Sequence, residues 1–316
     1  MADLLYLAEE DVIAAAPPAA EIEALAARAL GAIAAGRVQL PPKVKVAHRP
    51  DGLANAMPGY VEDGDVLGLK WIVIDQANPA RGLPAGHAVV LLADAATGLP
   101  RAVLGARALT ALRTAATTAV CVRALRPEPL GHVALVGTGV LARSHLAALA
   151  VHGPVRVLVA GRSAGSVAAL VEWADQHAPT LEVLAAAGIE EACRDAGVVI
   201  TLVSQRARGC RLDERWLRPD VLLLPLDYGT CVHAGLARGR LLLADDPEQF
   251  RVTRDAGGNL RGYRDPDAPS GAYLVGSRPP GGIVVQNLGT AIADLVLADA
   301  IVARAREFGR GRALAV

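Results

Sequence analysis

Three textures of apolar and polar positions follow one another along the first third of the chain. Residues 18–35, PAAEIEALAARALGAIAA, repeat apolar positions at three- and four-residue spacing, which predicts an amphipathic helix ended by Gly36. From about 38 to 105 the period shortens toward two. Short β-branched runs (VQLPPKVKVAH, DGLANAMPGY, DVLGLKWIVID, HAVVLLAD, RAVLG) alternate with turn residues, which predicts a largely antiparallel sheet. Residues 109–125, LTALRTAATTAVCVRAL, return to helical texture with Thr110 as candidate N-cap, and Pro127 and Pro129 then mark a linker.

Beyond the linker, strands and helices alternate. HVALVG, VRVLVAG, LEVLA, GVVITLVS and DVLLLPLD read as buried strands, and VLARSHLAALAVHG and SAGSVAALVEWADQHA as helices between them. Apolar strands alternating with helices imply a parallel sheet covered on both faces. The last apolar-periodic segment, LGTAIADLVLADAIVARAREFG, predicts a long helix with no strand after it, free to return to the first domain. The fold class is therefore α/β.

Composition narrows this picture. A length of 316 residues suits two domains. Hydrophobic residues make up 53% and aromatics only 3%, so Ala, Val and Leu must fill the cores. The 32 Lys and Arg balance 32 Asp and Glu, which gives no electrostatic reason to expect nucleic acid or an anionic membrane as partner. No apolar run is long enough to span a bilayer, and the opening MADLLYLAEEDV is acidic rather than basic-then-apolar, so a cytoplasmic protein is expected. Cys121, Cys193, Cys210 and Cys231 form no C-x-x-C pair and have no His at a zinc-like spacing. They read as small hydrophobes, and no metal is expected.

The strongest chemical signal is VALVGTGVLARSHLAAL. A strand runs into Gly137-Thr138-Gly139 and then into a helix opening with Val140 and Leu141, with Ala142 at the third-glycine position. The first glycine permits a tight turn, the second lets a pyrophosphate approach the backbone, and the small third residue lets helix and strand pack closely. The helix N-terminus offers its amides and dipole to the phosphates. The second strand ends in Gly161-Arg162-Ser163, with no acid for a ribose 2′-hydroxyl. Arg162 and Ser163 suit a 2′-phosphate, so NADP(H) is expected in preference to NAD(H).

Several stretches in this order resemble the ornithine cyclodeaminase/mu-crystallin family: MPGY at 57–60, GLKW at 68–71, NPARGLP at 78–84, DAATGLP at 94–100, LTALRTAA at 109–116, VGTG at 136–139 and NLGTAIADL at 287–295. The resemblance covers nearly the whole chain. It implies a substrate-binding and dimerisation domain of α+β type over 1–126, rejoined by a C-terminal helix within 288–316, and a Rossmann domain over 127–287. It implies a homodimer and a small amino- or imino-acid substrate. Substrate contacts fall on Lys43 (with Lys45 in reserve), Met57, Lys70, Arg113 and Gly289; cofactor contacts fall on Thr114, Ser204, Asp227 and Leu288 besides the glycine turn. Lys70 and Asp227 carry the catalytic assignment. The chain departs from the family after Asp227, where Tyr228-Gly229-Thr230-Cys231-Val232-His233 replaces the usual Pro-Gly-Lys-type turn and Glu. His233 reads as structural.

The residue chemistry agrees. A planar guanidinium such as Arg113 grips a carboxylate with two parallel bonds. Lys70 lies in a strand with the apolar Trp71, Ile72 and Val73 and requires a partner if buried. Asp227 ends a buried strand, where a Rossmann sheet opens its ligand crevice. The expected reaction is hydride transfer between a nicotinamide and the α-carbon of an imino acid, with Asp227 handling the proton on nitrogen. Two alternatives use the same parts: a redox-neutral deaminating lyase and a non-catalytic NADP-dependent binding protein.

Overall fold

The computed structural model describes residues 3–49 and 52–315. In chain order the first stretch contains β1 (Asp3–Leu7), α1 (Glu9–Ala15), α2 (Ala19–Ala34), β2 (Val38–Gln39), β3 (Val44–Arg49), β4 (Gly52–Val61), β5 (Val66–Asp75), β6 (Gly86–Asp94), β7 (Pro100–Gly105) and α3 (Arg107–Leu125). There follow β8 (His132–Val136), α4 (Val140–Leu149), β9 (Arg156–Ala160), α5 (Ala164–His177), β10 (Glu182–Ala185), α6 (Ile189–Cys193), β11 (Ala196–Thr201) and β12 (Leu222–Pro225). The chain continues with α7 (Ala234–Ala237), β13 (Leu241–Ala244), α8 (Pro247–Asp255), β14 (Ala268–Pro269), β15 (Ile283–Gln286), α9 (Ala291–Glu307) and β16 (Arg312–Ala315). Two compact units result: Met1–Arg113 with Thr290–Val316, and Thr114–Gly289. The division falls inside α3, upstream of the Pro127/Pro129 linker.

In the first unit the sheet runs β16-β1-β7-β6-β5-β4-β2, with β3 also paired to β4. The β3–β7 ladders are antiparallel, as the period-two pattern predicts, and among the described residues only β1 on β7 is parallel. Helix α9 packs across β4, β5 and β6 and against α1 and α2. Cross-strand rows divide the two faces. One face carries the row Met57–Lys70–Val90 and, two residues along, Asn55–Ile72–Ala88. The other carries Ala56–Trp71–Val89 and Ala54–Val73–His87. Gly59 and Gly68 let α9 lie close to the first face, since a Cβ on Gly59 would stand 3.2 Å from Ile292 and one on Gly68 2.7 Å from Leu295.

Three sequence expectations change here. Thr110 is not the N-cap of α3: the helix starts at Arg107, and the Thr110 hydroxyl donates back to the Ala106 carbonyl. The cap comes from Glu9 on α1, whose carboxylate accepts from the amides of Arg107 and Ala108. A strand does follow the last helix, because β16 pairs antiparallel with β1. Both β1 and α1 lie in the opening segment, read only for its acids.

In the second unit every ladder is parallel, in the order β10-β9-β8-β11-β12-β15-β13-β14. Strand β8 has β9 on one side and β11 on the other, so the winding reverses there and a crevice opens beyond the carboxyl ends of the strands. The core is aliphatic, with Phe250 and Tyr263 meeting edge to face. The four cysteines are unbridged and buried. Among the described residues no helix is long and apolar enough to cross a membrane.

Candidate active site

In the first unit, Lys70 is wholly buried, and an ammonium there requires a counter-charge. Its Nζ donates to Asp294 Oδ1 at 2.7 Å, and Arg113 Nε donates to the same oxygen at 2.9 Å. Asp294 is itself buried, in the first turn of α9, where the helix dipole favours a carboxylate. Its Oδ2 has no hydrogen-bond partner. Two cations thus share one carboxylate oxygen. Burial lowers the Lys70 pKa to about 7, with the charges of Arg113 and Lys43 adding to that and Asp294 opposing it. Lys43 is therefore within electrostatic reach of Lys70, although it stands just before β3 rather than on it. Met57 lies directly opposite Lys70 in the β4–β5 ladder. Arg113 sits in the second turn of α3, which begins three residues before Thr110.

Asp294 is the residue that sequence reasoning missed. The signal was present: an acid among the apolar residues of AIADLVLADA, in a motif quoted above only for the resemblance.

In the second unit, the turn after β8 has the geometry that the glycine pattern requires. Gly137 adopts φ +120°, and a Cβ there would lie 3.0 Å from the Leu202 backbone. A Cβ on Gly161 would meet Thr138 at 2.8 Å, whereas one on Gly139 would meet nothing within 4 Å. Helix α4 starts at Val140 with no side-chain cap, its first turn exposing Val140, and Ala142 is buried. These residues fit a dinucleotide pyrophosphate: a tight turn, open space beside Gly139 and an uncapped helix N-terminus. Arg162 is exposed one residue past Gly161. Ser163 caps α5 by accepting from Ser166 N at 3.3 Å, so its hydroxyl already has a structural task. Ser204 is exposed in the segment after β11, and its hydroxyl accepts from Arg206 N.

Asp227 follows β12 and is buried, which raises its pKa above the usual carboxylate range. Its Oδ1 accepts from the amides of Thr230 at 2.9 Å and Cys231 at 3.3 Å, while Oδ2 has no hydrogen-bond partner. The departure from the family pattern is accommodated by Tyr228 and Gly229, both at positive φ. The Tyr228 hydroxyl donates to the Leu288 carbonyl at 2.9 Å. A second missed residue, Asp245, accepts from the amides of Leu288 and Gly289 and so fixes that segment. His233 caps α7 by accepting from Gly235 N at 3.1 Å, a structural task.

A dinucleotide-type parallel sheet in one unit and a cationic cluster in the other define a class of two-unit α/β proteins. The chain belongs to the ornithine cyclodeaminase/mu-crystallin family, whose model matches residues 8–236. It is 32% identical to the nodulation efficiency protein NfeD of Rhizobium meliloti over 285 residues, 87% of each chain. It is also 32% identical to a Delta(1)-pyrroline-2-carboxylate/Delta(1)-piperideine-2-carboxylate reductase of Azospirillum brasilense over 226 residues, 71% of each. An archaeal alanine dehydrogenase, solved as a dimer with bound NAD, shares the fold with a TM-score of 0.82, at 22% identity over 99% of both chains.

Proposed function

We propose that this chain is a nicotinamide-dependent reductase of a small α-imino acid. The observation that carries the reading is the buried cluster of Lys70, Arg113 and Asp294, in which two cations meet at one carboxylate oxygen on the Met57 face of the first unit's sheet. Arg113 grips the carboxylate of the substrate and Lys70 adds its charge, which orients the imine carbon. Asp227, kept above the normal carboxylate range by burial, holds or supplies the proton on nitrogen. When bound, the reduced nicotinamide supplies the hydride. Residues 137–142, with Thr114, Ser204 and Leu288, hold that cofactor. The exposed Arg162, with no acid beside it, favours NADP(H) over NAD(H). The reductase activity of the Azospirillum relative supports the reaction class.

The protein acts as a homodimer in this reading, its contact being the outer face of the first unit's sheet. Val44, Val46, Trp71 and Val89 are exposed there and share that face. The archaeal alanine dehydrogenase dimer supports this assembly.

The test is an assay of absorbance at the reduced-nicotinamide band and of ammonia in parallel, with NADPH and NADH and a panel of cyclic and linear imino acids. Net consumption of cofactor without ammonia release, faster with NADPH, is expected. Ammonia released from a diamino acid without net cofactor change would establish the redox-neutral lyase instead. Binding of NADPH without either change would leave a binding protein.

A further inference from the structure

Three neighbouring strands of the second unit have their exits tied together, and one of the ties comes from the segment that departs from the family pattern. Strand β15 lies between β12 and β13 and is parallel to both. Asp227 and Tyr228 follow β12, Leu288 and Gly289 follow β15, and Asp245 follows β13. The Tyr228 hydroxyl donates to the Leu288 carbonyl at 2.9 Å. From the other side the Asp245 carboxylate accepts from the Leu288 amide at 3.1 Å and from the Gly289 amide at 2.6 Å. Leu288 is thus held at both ends of its backbone, at the carboxyl edge of the sheet where a ligand crevice opens.

The turn that carries Tyr228 suits a smaller residue. The Thr230 amide donates to the Asp227 carbonyl at 3.3 Å and closes a turn over residues 227–230. Its two central residues, Tyr228 and Gly229, have φ +57° and +82°. Positive φ at both central positions is the mark of a type I′ turn, which favours Asn or Gly at the first of them. A tyrosine there is strained, and such strain persists where the surroundings fix it and gathers at functional sites. The base of the turn is firmly seated. Asp227 Oδ1 accepts from the Thr230 and Cys231 amides, and Asn259 Nδ2 donates to the Thr230 hydroxyl at 2.9 Å. A Cβ on Gly229 would stand 3.0 Å from the Asn259 carbonyl oxygen.

Packing alone does not account for the hydroxyl. Tyr228 packs against the apolar core of its unit, and a phenylalanine would pack there as well. An asparagine would relieve the backbone strain. Tyrosine combines a long side chain with a donor at its tip, and that donor is spent on the Leu288 carbonyl. Asp227 immediately precedes Tyr228, so the phenol ties the position of Leu288 to that of the Asp227 turn.

We infer that Tyr228 is a positioning residue, whose hydroxyl keeps the cofactor-contacting segment Leu288–Gly289 in fixed register with the proton-handling Asp227. The inference rests on the proposed reading for the roles of Leu288 and Asp227, and on the ties among β12, β15 and β13 for its mechanism. With the tie cut, the segment moves more freely, the cofactor binds less tightly, and the hydride donor and the acid are less often in the productive arrangement together. Tyr228→Phe cuts the tie and keeps the ring. The full-length variant and wild type are compared in hydrogen exchange of the peptide that contains Leu288 and Gly289, in NADPH affinity by nicotinamide fluorescence, and in kcat and KM on an imino acid that wild type reduces. Urea unfolding records the stability of each.

Exchange should quicken by roughly three- to ten-fold in Tyr228→Phe, the scale of one hydrogen bond, and NADPH should bind more weakly by a similar factor. Turnover should fall roughly ten-fold, while KM for the imino acid, whose carboxylate is held at Arg113 and Lys70, moves by less than about two-fold. Lower stability with NADPH affinity and kcat unchanged would make the bond structural and overturn the inference, as would unchanged exchange in the variant. A wild type that binds neither NADPH nor NADH would overturn the cofactor reading and the inference together. A wild type that binds NADPH but reduces no imino acid would remove the reductase reading alone. Exchange and NADPH affinity then decide Tyr228, and both must change in Tyr228→Phe for the inference to stand.

Discussion

At the scale of single residues, the account turns on Asp294 and Asp227. Lys70 has its pKa lowered to about 7, so it is cationic below that pH and neutral above it. Capture of a carboxylate that depends on this charge weakens as pH rises through 7, and kcat/KM should then fall roughly ten-fold per pH unit. Asp294→Asn removes the carboxylate that raises Lys70, so the same limb should move to lower pH by a unit or more, with a lowered Tm. A limb that stays in place in a folded Asp294→Asn variant would detach Lys70 from substrate capture. Asp227 has a capping role and a candidate chemical role at once, and one substitution separates them. An asparagine oxygen still accepts from the Thr230 and Cys231 amides, so Asp227→Asn should keep its Tm and its cofactor affinity. Its turnover should drop by roughly 10²–10⁴-fold if the group exchanges a proton. Wild-type turnover in that variant would leave Asp227 a cap alone.

At the scale of elements, the sequence was readable wherever a period held. Helix α2 and the β4–β7 ladders follow the apolar spacing closely, and the glycine turn after β8 has the dihedral its pattern requires. What was not readable depended on partners remote in sequence. Thr110 looked like a cap because it has the right side chain, yet Glu9, some hundred residues upstream, holds the start of α3. Strands β1 and β16 are short and complete each other across the length of the chain, so neither announces itself locally. Asp294 was invisible as a site residue for the same reason: its significance comes from Lys70 and Arg113, which other elements bring to it. The Glu9 contact is directly testable. Glu9→Ala strips two α3 amides of their acceptor and removes a favourable charge from the helix N-terminus, which should cost about 1–2 kcal/mol in chemical denaturation. A change below a few tenths of a kcal/mol would show that solvent replaces Glu9 at no loss.

At the scale of the whole molecule, the proposed reading gives one face of the first sheet to chemistry and the other to assembly. Lys70 and Met57 face α9, while Trp71, the next residue along β5, is exposed on the opposite face with Val44 and Val89. Trp71→Asp puts a charge into the proposed dimer contact. Light scattering should find a dimer in wild type and a monomer in Trp71→Asp; a wild-type monomer, or an undisturbed dimer in the variant, would contradict the assignment. The central claim is net hydride delivery to an imino carbon, and isotope transfer tests it most directly. NADPH carrying deuterium at the transferred C4 position is turned over with an imino acid that the enzyme accepts, and the product amino acid is examined by proton NMR. The account predicts one deuterium on the α-carbon for each cofactor oxidised; a product formed with no deuterium at that carbon would contradict it.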